Sequence, residues 1–150
     1  MFSIDFDSDL IVDVKLVDID LLKPHEKIIE KKKTSLAKFI KSYDNYYIIS
    51  SIVCCYKSML IIDGHHRYFA LKDLGFKKAP VTLVDYSKKS IRTGTKNPLP
   101  KEHIIEIGIS DNLMEPKSTE HRVFCSKSNE WQPIILLSSM FKIKTNEIKI

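Results

Sequence analysis

The sequence predicts a mixed fold of the α/β (α+β) class, with a small mixed sheet flanked by helices. The chain has 150 residues, of which 43% are hydrophobic and 29% charged. That size and balance are typical of one globular domain with its own core. Short runs with the period of a strand alternate with longer runs with the period of a helix. Because no repeat, low-complexity tract or shift in composition divides the chain, residues 1–150 are predicted to form a single domain.

The first half of the chain predicts three strands and one helix. Apolar and polar residues alternate over 10–16, as in a half-buried strand. Pro24 is a common start signal and one apolar face recurs over 25–42, so a helix is predicted there. Residues 47–56 are rich in Ile, Val and Tyr, which favours a strand, and a further strand is expected at 59–62.

The second half predicts two helices separated by strands and loops. A helix over 65–74 ends at Gly75, which suits the left-handed position after a helix. After it come, in order, a strand at 80–86, an irregular loop at 92–100, a helix at 101–110, a loop at 116–121 and a short strand at 123–125. Residues 131–140 are apolar and are either helix or strand.

The three cysteines, Cys54, Cys55 and Cys125, show no CxxC spacing. Neighbouring side chains in a strand point to opposite faces, so Cys54 and Cys55 are not placed to act together. All three are predicted to be buried small hydrophobes, and neither a disulfide nor a metal role is expected.

Charge and hydropathy narrow the class of protein. No apolar run approaches the roughly 18 residues that a membrane span needs, and the N-terminus lacks the basic-then-apolar order of a signal peptide. A cytoplasmic location is therefore expected. The formal net charge is +5 and is spread out apart from Lys31-Lys32-Lys33, which is predicted to lie on the solvated face of a helix. This charge suits an enzyme that handles phosphorylated anions, and it equally suits nucleic-acid binding.

The most informative stretch is Asp63-Gly64-His65-His66-Arg67, between an apolar run and a helix. The free N–H groups of a helix start favour an anion such as phosphate, and an arginine there can bind phosphate oxygens with two bonds. Gly64 lets the backbone approach a ligand closely. Asp63 could cap the helix, hold magnesium or orient a reacting hydroxyl. The alternative is that Asp63 is only an N-cap and that the histidines pack on neighbouring strands.

Other phosphate and metal motifs are missing from the sequence. Neither GxxxxGK[ST] nor GxGxxG occurs, which argues against P-loop and Rossmann nucleotide binding. Consecutive helical residues project about 100° apart, so His65 and His66 cannot readily chelate one zinc ion. HExxH and a cysteine cluster are also missing.

Two further polar stretches are candidates for a site. Leu22-Lys23-Pro24-His25-Glu26 places an imidazole and a carboxylate where the chain enters the first predicted helix. Its Glu26 is either a site residue or a favourable charge at a helix N-terminus. Lys117-Ser118-Thr119-Glu120-His121 gathers a cation, a hydroxyl and an imidazole in a loop, which is either part of a site or a solvated surface.

In their order along the chain, these stretches resemble the ParB/sulfiredoxin-like superfamily and, within it, the archaeal free L-serine kinases. The central motif is shared across the superfamily, whereas the ordered set is more specific. The matching segments are the opening strand, Leu22-Lys23-Pro24-His25-Glu26, Asp63-Gly64-His65-His66-Arg67-Tyr68 with Ala70-Leu71 and Leu74-Gly75, the strand from Pro80-Val81 to Val84-Asp85-Tyr86, Ile91-Arg92-Thr93-Gly94-Thr95, and Pro116-Lys117-Ser118-Thr119-Glu120-His121.

The resemblance implies a compact ParB/sulfiredoxin-like domain that transfers a phosphoryl group from ATP (or ADP), with Mg²⁺, to the hydroxyl of free L-serine. Glu26 would act as base on that hydroxyl, with Asp63 beside it as second carboxylate or magnesium ligand. Thr119 and His121 would bind the serine. The nucleotide phosphates are assigned to Gly64, His65, His66 and Arg67. The expected partners are serine and nucleotide rather than a membrane or nucleic acid, and the product, O-phospho-L-serine, would be used in cysteine biosynthesis.

Two departures from the family pattern bear on substrate and donor. Lys96 follows Thr95 where the family tends to have an aromatic residue. The chain also lacks a large insertion between Gly94 and Thr119, which bears on oligomerisation, on closure over the substrate and on the choice between ATP and ADP. ATP is expected because of its abundance.

Two rival functions have less support. A ParB-type nucleotide-binding module that acts with DNA, as a regulator or a nuclease, tends to carry Gly-Glu-Arg-Arg in the motif and a helix-turn-helix domain after it. Here the motif is His-His-Arg. Sulfiredoxin-type repair needs a nucleophilic cysteine in the motif, because a thiolate attacks, and this chain has His65 at that position.

Overall fold

A computed structural model describes residues 5–40 (for 38–40, the backbone), 46–94, 99–110, 113–115 and 119–144. Within these ranges the helices are α1 (Glu30–Ile40), α2 (His65–Asp73) and α3 (Lys101–Ser110). The strands are β1 (Ile11–Asp18), β2 (Tyr46–Ser50), β3 (Ile52–Cys55), β4 (Ile61–Asp63), β5 (Lys78–Val84), β6 (Ile91–Arg92), β7 (Arg122–Cys125), β8 (Glu130–Pro133) and β9 (Met140–Lys144). Short 3-10 turns span Ile19–Leu21 and Ile134–Leu137.

A four-stranded sheet in the order β1-β5-β3-β4 forms the centre of the fold. β5 pairs antiparallel with β1 and parallel with β3, and β4 pairs antiparallel with β3. All of β3, and β5 apart from its first residue, are buried. Strands covered on both faces are expected to have such nearly continuous apolar sequences. The predicted small mixed sheet is confirmed.

The central sheet separates two hydrophobic layers. Cys54 of β3 packs in a layer with Leu71 of α2, whereas its neighbour Cys55 packs in a second layer with Ile104 of α3. The alternation of side chains along a strand accounts for this separation. All three cysteines, including Cys125, are buried as predicted.

Two smaller sheets complete the described fold: β2 pairs with β9, and β7 pairs with β6 and β8. The single strand predicted over 47–56 is therefore wrong, because the chain changes sheet at Ser51. The Ser51 hydroxyl is 2.6 Å from Thr82 Oγ1, and Ser51 N–H donates to Ser139 O at 2.9 Å. These long-range bonds are invisible to strand propensity. The segment 131–140, predicted as helix or strand, contains the end of β8, a 3-10 turn and the start of β9.

The first predicted helix begins at Glu30 and not at His25. Residues 22–29 are not helical, and Glu26 forms a β-bridge with Met114. The start signal at Pro24 is overridden because backbone groups of this segment bond to distant parts of the chain. The predicted end of that helix, at about residue 42, lies outside the described residues.

The helix surfaces agree with the remaining predictions except at Lys33. Lys31 and Lys32 are exposed, as predicted for a solvated face, whereas Lys33 pairs with Asp73 of α2 (Nζ–Oδ2 2.6 Å). The predicted helix end at Gly75 is confirmed, since Gly75 has φ +82°. Among the described residues, no helix is both long and apolar enough to cross a membrane.

Candidate active site

The stretch Asp63-Gly64-His65-His66-Arg67, the predicted phosphate corner, forms a sharp junction between β4 and α2. β4 ends at Asp63, α2 begins at His65, and Gly64 between them has φ +107°. A Cβ at Gly64 would lie 3.3 Å from both Arg67 Nη1 and Ile52 Cγ2, so a larger residue would be strained and would press on the arginine. Gly64 is itself the N-cap of α2, and no side-chain capping bond to this helix is found in the part of the chain that the structure describes. The alternative role of Asp63 as the N-cap is therefore wrong.

The two histidines of the corner hold the segment before α1 in place. His65 Nε2 accepts a hydrogen bond from His25 N–H at 3.1 Å, and His66 Nε2 accepts one from Ile29 N–H at 2.9 Å. In a helix that began at His25, Ile29 N–H would bond to His25 O. That oxygen instead accepts from Met114 N–H at 2.7 Å. The histidine side chains thus replace helical bonds and bring this segment to the corner.

His65 is neutral in this site. Burial, together with the charges that His25 and His121 would carry, holds the pKa of His65 well below its usual range. Because Nε2 accepts a hydrogen bond, the proton of the neutral ring is on Nδ1. That atom lies 3.9 Å from Glu26 Oε1. The predicted phosphate contacts of His65 and His66 stay predictions, and for His65 such a contact would use a neutral Nδ1–H donor.

The Glu26 carboxylate is fixed in direction. Its neighbours along the chain are tied to Met114, because Met114 N–H donates to His25 O at 2.7 Å and Lys27 N–H donates to Met114 O at 2.6 Å. Glu26 Oε2 accepts from Thr119 N–H at 3.0 Å and from the Thr119 hydroxyl at 2.5 Å. A carboxylate held in this way suits a group that must accept a proton from a bound hydroxyl at a defined position.

The hydrogen bonds of Glu26 continue into a buried cluster of imidazoles. The Thr119 hydroxyl donates to Glu26 and lies 3.1 Å from His25 Nε2, which therefore donates to it. The rings of His25 and His121 meet edge to face, with centroids 5.7 Å apart, and His121 Nε2 is 2.6 Å from the Tyr86 hydroxyl. Burial is the largest reason that the pKa of His121 falls to about 3. Thr119 Oγ1 and His121 Nε2 are thus engaged within the protein.

Two cavities adjoin this cluster and share part of their walls. The loop cavity has a volume of about 260 Å³ and the corner cavity a volume of about 200 Å³. Both are lined by Glu26, Asp63, His65 and Ile135. The loop cavity is also lined by Ile62, residues 119–122, Pro133 and Ile134, and the corner cavity by Leu36, Gly64, His66 and Arg67. Two carboxylates therefore lie where two ligands would meet.

Arg67 brings a half-buried positive charge to the corner cavity. Burial lowers the pKa of its guanidinium, and the nearby charge of Asp63 opposes that shift. Within the described ranges, Arg67 Nη1 is buried and has no hydrogen-bond partner. A buried donor without a partner costs about 1–3 kcal/mol, so an anion in the corner cavity would stabilise this arrangement.

Every residue predicted to act in the site lines at least one of the two cavities: Glu26, Asp63, Gly64, His65, His66, Arg67, Thr119 and His121. Their roles stay predictions. Sequence reasoning missed two residues of the site. Tyr86, which bonds to His121, has no local signal in the sequence. Arg122, which lines the loop cavity, could have been found from its position next to the predicted site residue His121. Lys96 and residues 116–118 lie outside the described residues.

The fold that surrounds this site is similar to the fold of a free serine kinase. A free serine kinase in complex with ADP matches this chain with a TM-score of 0.69 at 14% identity, covering 98% of this chain and 97% of that chain.

In sequence, the chain is similar to archaeal L-serine kinases. It is 37% identical over 90 residues to the ATP-dependent L-serine kinase of Staphylothermus marinus. The matched residues cover 58% of this chain and 35% of that relative. It is 33% identical over 101 residues to the ADP-dependent L-serine kinase of Thermococcus kodakarensis. Here the matched residues cover 64% of this chain and 40% of that relative. The chain thus spans less than half the length of these two relatives. No protein-family model matches it. The predicted resemblance to the serine kinases is confirmed in sequence and in fold.

Proposed function

We propose that this protein transfers a phosphoryl group from ATP or ADP to the hydroxyl of free L-serine, giving O-phospho-L-serine. The observation that carries the proposal is the pair of adjoining cavities with Glu26 and Asp63 in both of their walls. Phosphoryl transfer needs donor and acceptor side by side, with groups that position the nucleophile and neutralise charge. The names of the two relatives support serine as acceptor and leave both nucleotides as donors.

In the proposed reaction, the nucleotide phosphates occupy the corner cavity and serine occupies the loop cavity. Arg67 and the N–H groups at the start of α2 bind phosphate oxygens. The serine hydroxyl oxygen attacks the terminal phosphorus of the nucleotide, and Glu26 takes the proton of that hydroxyl. The new O–P bond forms while the bond to the leaving ADP breaks, or to AMP where ADP is the donor. Thr119 and His121 line the loop cavity and bind the serine, and Thr119 also keeps Glu26 directed at the hydroxyl.

Asp63 is the residue that would hold Mg²⁺. Among the described residues, no three His, Cys, Asp or Glu side chains are grouped so that they could hold a metal. Magnesium usually binds one or two carboxylates, completes its shell with phosphate oxygens and water, and neutralises the charge of the transferring group. Asp63 lies in the walls of both cavities, beside the charge of Arg67. One carboxylate, completed by phosphate oxygens and water, is a donor set that fits such an ion.

A donor-by-acceptor matrix tests the proposed function. Purified protein is incubated with ATP or ADP and with L-serine, L-threonine, L-homoserine or L-cysteine, with and without Mg²⁺, and the phosphorylated products are measured. We expect Mg²⁺-dependent O-phospho-L-serine from L-serine and much less product from the other acceptors. If no serine-dependent turnover occurs and the protein binds duplex DNA with a steep salt dependence, a ParB-like binding module replaces the kinase.

Replacing Thr119 by valine is expected to lower kcat for serine phosphorylation about tenfold, because one of the two bonds that Thr119 donates to Glu26 is lost. The Thr119 N–H bond to Glu26 Oε2 remains, so activity should not vanish. Steady-state kinetics and the Kd for ADP measure the effect, and Thr119→Ser should retain most of the activity. Unchanged kcat in Thr119→Val would show that the hydroxyl bond of Thr119 is not needed to orient the carboxylate.

Three further features stay proposals. We propose that residues 1–150 act as one domain, that the protein works in the cytoplasm, and that its product enters cysteine biosynthesis. Each was predicted from the sequence or from the family resemblance.

A further inference from the structure

One face of the β6-β7-β8 sheet carries two arginines, one of which lines the loop cavity. Arg92 of β6 is paired directly with Arg122 of β7, and Arg122 is paired with Pro133 of β8. Arg122 and Pro133 both line the loop cavity. Val123, the next residue of β7, is buried in the core. Because side chains alternate along a strand, Arg122 lies on the opposite face, toward the cavity.

The two arginines are close in the sheet and incompletely bonded. The guanidinium of Arg92 stacks on the ring of Trp131, with Cζ 4.2 Å from the ring centroid. In the part of the chain that the structure describes, the Nε atoms of Arg92 and Arg122 are buried and have no hydrogen-bond partner. No ion pair of either arginine is found there with a described carboxylate.

This arrangement is unfavourable without a ligand. Like charges directly opposite each other on paired strands destabilise the pairing, and each buried unpaired donor adds to the cost. An anion bound by Arg122 in the loop cavity would offset the repulsion between the two charges and give the Arg122 guanidinium a partner. The planar guanidinium binds a carboxylate with two parallel bonds, and a carboxylate is the anion of a free amino acid.

We propose that Arg122 binds the α-carboxylate of the acceptor amino acid, with Arg92 adding a second positive charge behind it. The inference rests on the proposed function and names the group that makes the enzyme select a free amino acid. A serine inside a peptide has no α-carboxylate and would leave Arg122 unpaired. Glu120, the exposed carboxylate at the same cavity, repels the acceptor carboxylate and attracts its ammonium group, so the two charges orient the substrate.

Arg122→Gln and L-serinamide together test this contact. L-serinamide keeps the hydroxyl and the ammonium group but has no carboxylate. We expect Arg122→Gln to raise the KM for L-serine about 30-fold or more, as for a lost charge-assisted contact, with the Kd for ADP changed less than about twofold. With L-serinamide, the wild type should already show a high KM, and Arg122→Gln should change it less than about threefold. Arg122→Lys should recover part of the affinity for L-serine, because the charge is kept and the two-bond geometry is lost.

Lys15→Gln, on the exposed edge strand β1, is the charge-matched control and should behave as the wild type. Equal losses for L-serine and L-serinamide in Arg122→Gln would make the role of Arg122 structural and overturn the inference. Weaker ADP binding with an unchanged KM for L-serine would assign the arginine to the nucleotide instead.

Calorimetric binding of L-serine separates this inference from the proposed function. If the wild type phosphorylates no serine but binds it, and Arg122→Gln abolishes that binding, the carboxylate site stands while the kinase proposal falls. If the wild type neither phosphorylates nor binds L-serine, both are overturned.

Discussion

Glu26→Gln is expected to lower kcat for serine phosphorylation by about two to four orders of magnitude, the usual contribution of a positioned general base. In the wild type, Thr119 donates two hydrogen bonds to Glu26 Oε2. Glutamine has nearly the same shape as glutamate, and its side-chain oxygen can still accept these bonds. The substitution therefore removes the basic group and keeps the hydrogen bonds that hold the loop. The Kd for ADP is expected to change less than about threefold, since the phosphates are assigned to the corner cavity.

Steady-state kinetics with saturating nucleotide and ADP titration calorimetry measure these two effects. Glu115→Gln is the matched control, because Glu115 follows the bridge partner of Glu26 along the chain and its pair with Lys27 is exposed (Nζ–Oε1 3.2 Å). Exposed pairs contribute little, so this control should keep wild-type kcat. Full turnover in Glu26→Gln would remove the assignment of Glu26 as base and leave the fold untouched.

Arg67→Met is expected to weaken ADP binding about 10- to 100-fold, because a charge-assisted contact to phosphate contributes about 1.5–3 kcal/mol. Without nucleotide the same change should be nearly neutral for stability. It removes the cost of holding a half-buried charge with an unpaired Nη1, and this gain offsets the lost attraction to Asp63, which is itself only partly buried. Affinity and stability should therefore respond differently to one substitution.

Calorimetry with ADP and thermal unfolding with and without ADP measure both quantities. In the wild type, saturating ADP should raise the Tm through binding to the folded state, and in Arg67→Met most of that increase should disappear. Lys31→Met, which removes an exposed charge on α1, should retain the full increase. Intact ADP affinity in Arg67→Met would mean that the phosphates bind elsewhere.

The site was predictable where its chemistry is local. Asp63, Gly64 and Arg67 act through a strand end, a left-handed residue and a helix start that lie within a few positions of one another. Such a corner depends on short-range geometry, so the sequence alone is enough to predict it. β5 of the central sheet was likewise predictable, because burial on both faces leaves a continuous apolar signal, and the half-buried β1 was predictable from its alternating pattern.

The errors in prediction share one physical cause. The helix start at residue 25 and the unbroken strand at 47–56 were wrong because long-range hydrogen bonds replaced local ones. His66 Nε2 accepts the N–H of Ile29, and Ser51 bonds to Thr82 and Ser139. Local propensity describes competition among neighbouring residues and contains no information about partners that folding brings from far along the chain.

The sequence by itself determined the mixed α/β class, the strand-to-helix junction at Gly64 and eight of the residues that line the cavities. Only the tertiary structure decided how they act together. Thr119 contacts Glu26 across 93 residues of chain, the two corner histidines bond to backbone N–H groups, and Arg92 meets Arg122 across paired strands. The physical reason is that residue type fixes which bonds a side chain can form, whereas packing decides which partner it reaches and how much water remains around it.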